Sequence, residues 1–228
     1  MKYNNIMEGT FVSRPNRFIA IVNVNGKDEI CHVKNTGRLK ELLKEGVKVY
    51  VQHFDTLSRK TKYDLIAVVK ENSVINIDSQ LPNKLFFEWV KLSGYFNNIT
   101  LIKPEHKYKN SRFDFYIETE KDKFFIEVKG VTLENNGIAS FPDAPTERGL
   151  KHINELVECV KDGYKAYVFF ICKIDNVSSF EPNRENHPEF ADALEYAQKN
   201  GVTVKCLNCS VTPDTVCVKD FIKVNLNN

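Results

Sequence analysis

The sequence predicts two domains, a small β-barrel followed by an α/β domain with a mixed sheet. Three observations lead to this fold class. About five strand-like segments and one helix-like segment fill the first 80 residues, the polar segment "DSQLPN" interrupts that pattern, and helical and strand patterns alternate after it. About five strands with one helix in this length are typical of a closed barrel of the OB type. We therefore place the barrel at residues 1–80 and the α/β domain at residues 81–228.

The barrel strands are identified from apolar segments between turn signals. The segment "GTFVSRPNRFIAIVNVNG" turns at Asn25-Gly26, a strong hairpin signal, into "KDEICHV". The remaining strands are "VKVYVQHF", "TKYDLIAVV" and "SVINI". Between them, "GRLKELLKEG" predicts one short helix that ends before Gly46 and turns three leucines inward: Leu39, Leu42 and Leu43.

The α/β domain begins with a predicted helix, "PNKLFFEWVKLSGY", which has Pro82 in its first turn. Its predicted buried stripe consists of Leu85, Trp89 and Leu92. Glu88 lies at the border of this stripe. It is therefore either a surface glutamate, the commoner case, or a third carboxylate aimed at a site beneath the helix.

The rest of this domain alternates strands and helices. "TERGLKHINELVECVKDG" predicts an amphipathic helix with Arg148 and His152 on its polar face. "KAYVFFICKI" predicts a central strand buried on both sides, "HPEFADALEYAQKNG" a third helix, and "VTVKCLNC" and "VCVKDFIKV" the last strands. Cys206 and Cys209 have the spacing of half a zinc site, but zinc needs four ligands and no second matched pair is present. Two small buried residues are the better interpretation.

Composition favours an ordinary globular protein without membrane contact. The 228 residues are 42% hydrophobic and 27% charged, no apolar run approaches the roughly 18 residues of a membrane span, and the first residues lack the apolar core of a signal peptide. We expect a cytoplasmic protein whose six cysteines are reduced. The net charge of +2 identifies no partner, but residues 1–80 hold 13 basic and 9 acidic side chains. That excess suits either contact with phosphates or unspecific surface charge.

Two acidic residues are expected to face each other in the hairpin "SRFDFYIETEKDKFFIEVKG", whose two halves alternate apolar and polar residues. If the chain reverses between Glu120 and Lys121, Asp114 pairs with Glu127, and Lys129 lies on the same face. Opposed like charges weaken a hairpin by about 0.2–1 kcal/mol. This face is therefore either solvated or holds a cation between the carboxylates, and the pattern alone leaves both interpretations open.

An acid on one strand followed by acid-x-Lys on the next is the signature of the PD-(D/E)xK nuclease-like superfamily, and Asp114, Glu127 and Lys129 carry it. Two carboxylates about 5 Å apart can share Mg²⁺ or Mn²⁺, which polarises a phosphate and lowers the pKa of bound water. Lys129 would orient that water or offset charge on the phosphate. We predict Asp114 and Glu127 as metal ligands, with Lys129 and Glu88 completing the catalytic candidates.

Several blocks of the sequence resemble the sugar fermentation stimulation proteins: "FVSRPNRF", "HVKNTGRL", "RKTKYDL", "SRFDF", "EVKGVTL", "FPDAPTERGLKHINEL" and "HPEFADAL", which cover most of residues 11–195. The resemblance implies an N-terminal OB-fold, a C-terminal PD-(D/E)xK domain, non-specific DNA binding and a part in regulating sugar, notably maltose, metabolism. It places Asp114, Glu127 and Lys129 on the family's nuclease-like triad. Lys34 departs from the family, which usually has proline there, so the geometry of that loop stays open and a charge is added that suits phosphate.

The barrel also carries candidates for contact with nucleic acid. OB-type barrels stack bases on aromatic side chains within a basic groove. The basic candidates are Arg14, Arg17, Lys34, Arg38, Arg59, Lys60 and Lys62, and they lie among Phe11, Phe18, Tyr50, Phe54 and Tyr63, some of which must be core. In the second domain, Arg148 and His152 start a helix whose N-terminus favours phosphate, although a solvated helix face is the alternative for both.

The leading hypothesis is a cytoplasmic DNA-binding protein whose second domain is a metal-dependent phosphodiester hydrolase. The alternative is a non-catalytic DNA-binding regulator of sugar metabolism whose pocket grips a nucleic-acid backbone, since a nuclease-like fold can serve other functions. The sequence leaves open the choice among single-stranded DNA, duplex DNA and RNA, as well as the oligomeric state.

Overall fold

The computed structural model describes residues 1–56 and 58–227. Within these residues the first domain is a barrel of five strands with a sixth strand that extends its sheet: β1 (Ile6–Asn16), β2 (Ile19–Val24), β3 (Lys27–Val33), β4 (Lys48–His53), β5 (Tyr63–Lys70) and β6 (Ser73–Asn76). The strand order is β3-β2-β1-β4-β5-β6, and parallel pairing of β3 with β5 closes the barrel. Asn25 and Gly26 have φ values of 52° and 84°, as a type I′ hairpin turn requires. The predicted OB-type barrel is confirmed.

The segment predicted as a helix, "GRLKELLKEG", forms turns instead. Leu39 has a φ of 50°, outside the helical region. The carbonyls of Gly37 and Arg38 accept hydrogen bonds from the Arg14 guanidinium at 2.8 and 2.7 Å, whereas a helix would use them for its own backbone. Leu39 and Leu42 are still buried in the barrel. A segment of this length has little helical stability of its own, so contacts with the barrel determine its conformation.

The second domain packs three helices on a mixed sheet of nine strands within the described residues. Its elements are α1 (Leu81–Leu92), β7 (Ile99–Tyr108), β8 (Ser111–Thr119), β9 (Lys123–Val131), β10 (Leu133–Asn135), β11 (Ile138–Phe141), α2 (Glu147–Lys161), β12 (Lys165–Cys172), β13 (Ser179–Pro182), α3 (Pro188–Lys199), β14 (Thr203–Val211) and β15 (Val216–Val224). The strand order is β10-β11-β13-β15-β14-β12-β9-β8-β7. Parallel pairing of β12 with both β9 and β14 confirms the predicted central strand.

Helix α1 is rotated relative to its predicted buried stripe. Its buried residues are Leu81, Pro82, Leu85, Phe86 and Val90, and Leu92 is 87% exposed, so the predicted burial of Leu92 is wrong. The Phe86 ring lies 5.0 Å from the Phe115 ring of β8 and 4.9 Å from the Phe169 ring of β12. These contacts seat α1 on the sheet, with its first turn beside the hairpin of β8 and β9.

The domains are also joined by hydrogen bonds between their backbones. The Asn76 N–H donates to the Lys173 carbonyl at 3.0 Å, and Ile75 and Ile174 form an antiparallel bridge. The loop that follows β12 is thereby attached to the last strand of the barrel domain.

The cysteine pair of β14 lies in the core. Cys206 and Cys209 are both fully buried, and the Cys206 Sγ lies 3.3 Å from the Cys172 Sγ of the neighbouring strand. The interpretation of this pair as small buried residues is confirmed. No helix in the described ranges combines the length and apolar character needed to cross a bilayer.

Candidate active site

The hairpin of β8 and β9 has the predicted register. Phe115 pairs with Ile126 and Tyr116 with Phe125, and the paired ladder ends at Phe115 and Ile126. Asp114 lies just beyond this end, close enough to Glu127 for the two carboxylates to repel each other. Glu127 is only 2% exposed. The alternative of a solvated hairpin face is therefore wrong, and the two acids lie together in a largely buried position.

Asp114 is held by two donors from two elements. Its Oδ1 accepts a hydrogen bond from the Asn83 side chain of α1 at 2.8 Å, and its Oδ2 accepts one from the backbone N–H of Val128 at 2.7 Å. Burial and repulsion from Glu127 nevertheless raise the pKa of Asp114 from its ordinary 3.8 to about 6. An acid that retains two donors and still has a raised pKa lies where a further positive partner would be strongly favoured.

Glu127 receives both of its hydrogen bonds on one oxygen. Oε1 accepts from the Lys129 Nζ at 2.5 Å and from the His152 Nδ1 at 2.6 Å. Burial alone would raise the pKa of Glu127, but the His152 hydrogen bond and the Lys129 charge outweigh it and the pKa lies below its ordinary value. The other oxygen, Oε2, is buried without a hydrogen-bond partner in the described part of the chain. Glu127 is thus an ionised carboxylate with one buried oxygen that faces no donor.

These two carboxylates fit a hard divalent cation. A cation between them would partner the Glu127 Oε2 and offset the repulsion that raises the pKa of Asp114. Among residues 1–56 and 58–227 there is no group of three or more His, Cys, Asp or Glu side chains suited to a metal. An ion held by these two side chains would be one such as Mg²⁺, which usually takes one or two protein carboxylates and fills its other positions with water and phosphate oxygens.

Glu88 does not join this cluster. Its side chain is 53% exposed and its Oε2 lies 3.3 Å from the amino group of Met1. The suggestion of a third carboxylate aimed at the site is wrong, because the rotation of α1 that buries Phe86 turns Glu88 to the surface. Asn83 is the α1 residue that reaches the acids, and the sequence interpretation missed it.

His152 and Arg148 have different environments. The buried face of α2 includes Gly149, His152, Ile153 and Leu156, and His152 is 5% exposed. Its predicted place on the polar face is wrong, because the first turns of α2 cover the hairpin and direct this ring to Glu127. Arg148 is exposed. Both residues border a cavity of about 390 Å³ together with Arg112 and Lys151, so the site has a basic surface beside it.

Three of the basic barrel candidates are already engaged by the protein. The Arg14 guanidinium donates to four backbone carbonyls, those of Arg17, Asn35, Gly37 and Arg38. The Lys34 Nζ lies 3.4 Å from the Asp64 carboxylate and 3.0 Å from that of Asp78. Arg59 is paired with Asp64 and lies 3.9 Å from the centre of the Phe54 ring. Their charges stabilise loops of the barrel.

The remaining basic candidates of the barrel lie at its surface: Arg17, Arg38, Lys60 and Lys62. The aromatic candidates also separate. Phe11 is buried in the barrel core, whereas Phe18 is 51% exposed and its ring centre lies 6.0 Å from the Arg17 guanidinium. Tyr50, Phe54 and Tyr63 are partly buried. Arg17 and Phe18 form the exposed basic and aromatic pair of this surface.

Comparison with known proteins gives matches along the whole chain. A family model described as "SfsA N-terminal OB domain" matches residues 12–77, and one described as "Sugar fermentation stimulation protein RE domain" matches residues 80–215. A sugar fermentation stimulation protein homolog of Clostridium beijerinckii is 56% identical over 99% of this chain and 100% of its own length. A homolog of Desulfitobacterium hafniense strain Y51 is also 56% identical, over 99% of each chain.

A solved structure has the same fold throughout. It is described as the structure of Pyrococcus furiosus SfsA in complex with Ca²⁺, and it superimposes with a TM-score of 0.90 at 29% identity, covering 99% of this chain and 98% of its own. The barrel, the α/β domain and their order along the chain are thus shared with this structure. The chain belongs to the sugar fermentation stimulation protein family.

Proposed function

We propose that this protein binds nucleic acid and hydrolyses its phosphodiester bonds with a divalent cation held by Asp114 and Glu127. The observation that carries the proposal is the buried Glu127 Oε2, which has no donor in the described residues and belongs to a carboxylate that repels Asp114. A purely structural ion pair would be expected to satisfy both oxygens with protein donors. Here the donors are gathered on one oxygen.

Each neighbouring side chain has a distinct role in the proposed site. Asn83 and the Val128 N–H fix the orientation of the Asp114 carboxylate. His152 holds the Glu127 Oε1 and leaves Oε2 without a protein donor in the described residues. Lys129 lies beside Glu127, where its ammonium can orient water or offset charge on a phosphate. When bound, Mg²⁺ or Mn²⁺ would polarise the phosphate and lower the pKa of a bound water.

The comparison with a solved SfsA supports the type of ion. That protein was determined in complex with Ca²⁺, which takes oxygen ligands, as do Mg²⁺ and Mn²⁺. A site of two carboxylates is compatible with all three ions.

The barrel would supply contact with nucleic acid. Arg17, Arg38, Lys60 and Lys62 are exposed, and Phe18 offers a ring on which a base can stack. Binding through phosphates and unspecific stacking should depend steeply on salt and little on base sequence.

The proposal is tested by incubating the purified protein with single-stranded DNA, duplex DNA and RNA, each with Mg²⁺ or Mn²⁺. We expect cleavage that requires the cation and is lost in Asp114→Asn and Lys129→Ala. The matched control is Glu88→Gln, which removes a surface acid and should cleave like the wild type. Binding without cleavage on all three substrates would reject the hydrolase and leave a DNA-binding regulator.

A further inference from the structure

A cleft of about 550 Å³ lies between the barrel and the α/β domain. We call it the interdomain cleft. Its walls include Arg38 and Ser79 on the barrel side and Gly130, Asp143, Thr146 and Lys173 on the α/β side. Gly130 directly follows Lys129 in β9, and Pro82, also in the cleft wall, directly precedes Asn83 in α1. The cleft is therefore lined by chain neighbours of two residues of the proposed site, with Gly130 and Lys129 facing opposite sides of their strand.

Lys173 is a buried ammonium in this cleft. The residue is 1% exposed, and within the described ranges its Nζ donates one hydrogen bond, to the Asp78 carbonyl at 2.7 Å. An ammonium has three N–H donors. The Asp78 carboxylate lies 3.0 Å from the Lys34 Nζ and accepts a hydrogen bond from the Tyr3 hydroxyl, so it is engaged elsewhere. No carboxylate of the described residues lies within 4.0 Å of the Lys173 Nζ.

Burial of this charge is unfavourable for folding. A buried ammonium without a contacting carboxylate is costly, and burial lowers the pKa of Lys173 to about 8, although the charges of Asp78 and Asp143 act in the opposite direction. A methionine would fill the same volume without that cost. A buried charge that gains only one hydrogen bond is often retained for function, and Lys173 lines a cleft in which an anionic ligand could contact its remaining N–H donors.

The strand topology places Lys173 beside the proposed site. β9 and β12 are parallel, with Lys129 opposite Phe170, and the Lys173 N–H donates to the Val131 carbonyl at 3.1 Å. Lys129 and Lys173 therefore lie at the same edge of the sheet, where the carboxyl ends of parallel strands form ligand sites in α/β proteins. The Lys173 side chain crosses Gly130 so closely that a Cβ there would lie 3.4 Å from its Cε.

We propose that the interdomain cleft binds a phosphate of a nucleic-acid strand next to the scissile one, with the Lys173 ammonium as its buried contact. The inference rests on the proposed function and extends it by naming the path of the strand. Arg38 contributes a second positive charge, and Thr146 is the N-cap of α2, whose N-terminus favours an anion. Asp143 is the acid that opposes the phosphate in this cleft.

The test measures the affinity of a labelled single-stranded oligothymidylate by fluorescence anisotropy in EDTA, so that cleavage plays no part. Lys173→Met should weaken binding about tenfold, as expected for loss of a charged hydrogen bond, and reduce the slope of log affinity against log salt by about 0.7. The free energy of unfolding of Lys173→Met in urea should equal or exceed that of the wild type. Unchanged affinity and salt slope in a folded Lys173→Met protein would overturn the proposal.

A second variant keeps the proposal testable if Lys173→Met folds poorly. Asp143→Asn removes the opposing acid with little change in shape and should tighten binding of the same strand, whereas unchanged or weaker binding would overturn the proposal. Inorganic phosphate added as a competitor distinguishes the source of the anion: stabilisation by phosphate together with equal strand affinity in wild type and Lys173→Met would reject a strand path. Strand binding without cleavage in Mg²⁺ or Mn²⁺ would reject the hydrolase but not the cleft.

Discussion

Replacement of Asp114 by asparagine should change how the stability of this protein depends on pH. Burial and repulsion from Glu127 raise the pKa of Asp114 from 3.8 to about 6. The folded protein therefore favours the protonated acid. The stability contributed by protonated Asp114 is fully present below pH 3.8 and is lost as the pH rises through about 6.

The size of the effect follows from these two pKa values. A rise from 3.8 to about 6 corresponds to about 3 kcal/mol by which the fold disfavours the ionised carboxylate at high pH. Between about pH 5 and about pH 7.5, the loss amounts to about 1.4 kcal/mol. Asparagine cannot ionise, so Asp114→Asn should lack this part of the pH dependence. Any constant penalty from a lost hydrogen bond to Val128 is the same at both pH values.

The assay is urea unfolding in EDTA, followed by circular dichroism, for wild type, Asp114→Asn and the surface control Glu88→Gln. The free energy of unfolding of Asp114→Asn relative to wild type should rise by about 1.4 kcal/mol from the lower to the higher pH. A saturating divalent cation at the higher pH should stabilise wild type, by about 2.7 kcal/mol at a hundredfold excess over Kd, and the variant far less. Parallel pH dependence of wild type and Asp114→Asn would refute the proposed coupling between the two acids.

Three further predictions concern the surroundings of the site and the barrel. His152→Phe should lower the free energy of unfolding by about 1–3 kcal/mol and reduce cation-dependent cleavage, because Glu127 loses the donor that lies 2.6 Å from its Oε1. If calorimetric titration of this variant with Mn²⁺ gave the wild-type affinity, the role of His152 in holding Glu127 would be contradicted. Gly130→Ala would place a Cβ 2.6 Å from the ring of the α1 proline and should destabilise the protein by about 1–3 kcal/mol in thermal unfolding, so an unchanged Tm would count against the close contact. Arg14→Met should destabilise the barrel by about 2 kcal/mol or more, because the Arg14 guanidinium donates hydrogen bonds to four backbone carbonyls. The matched Arg17→Met variant should keep its stability and bind the nucleic-acid strand more weakly. Equal losses of stability in the two variants would reject this distinction.

The register of the catalytic hairpin was predictable because local rules determine it. Side chains of period two on both halves, with a short polar reversal, allow few ways to bury Phe115 and Ile126 on one side. The structure has that register. This register brings Asp114 and Glu127 to the same end of the hairpin, but the paired ladder stops at Phe115 and Ile126, and Asn83 of α1 also holds the Asp114 carboxylate.

The partners of the two acids were not predictable in the same way, because they come from helices whose rotation depends on packing. Leucine spacing in α1 indicated a stripe that would bring Glu88 near the sheet, but the contacts of Phe86 with two rings of the sheet select another face. Asn83 then reaches Asp114. His152 occupied a position that appeared polar in the sequence, and only the docking of α2 over the hairpin explains its burial. The one available signal was that His152 lies next to Ile153 and four residues before Leu156, both of which are on the buried face of α2.

In the barrel, too, the sequence was not enough to predict the role of each basic residue. Charge and aromatic content pointed to a basic surface but did not distinguish contact residues from structural ones. Arg14 binds the carbonyls of a loop that the sequence presented as a helix, so both errors have a single cause. The Arg14 side chain of β1 binds carbonyls of this loop that would accept backbone hydrogen bonds in a helix.

Anomalous diffraction from a crystal soaked in Mn²⁺ tests directly whether Asp114 and Glu127 hold a divalent cation. We expect a peak between the side chains of Asp114 and Glu127, about 2.1 Å from the Glu127 Oε2 and from one Asp114 oxygen. A strong Mn²⁺ peak elsewhere with none at this pair, or a fully soaked crystal in which the Glu127 Oε2 accepts only a protein hydrogen bond, would contradict it.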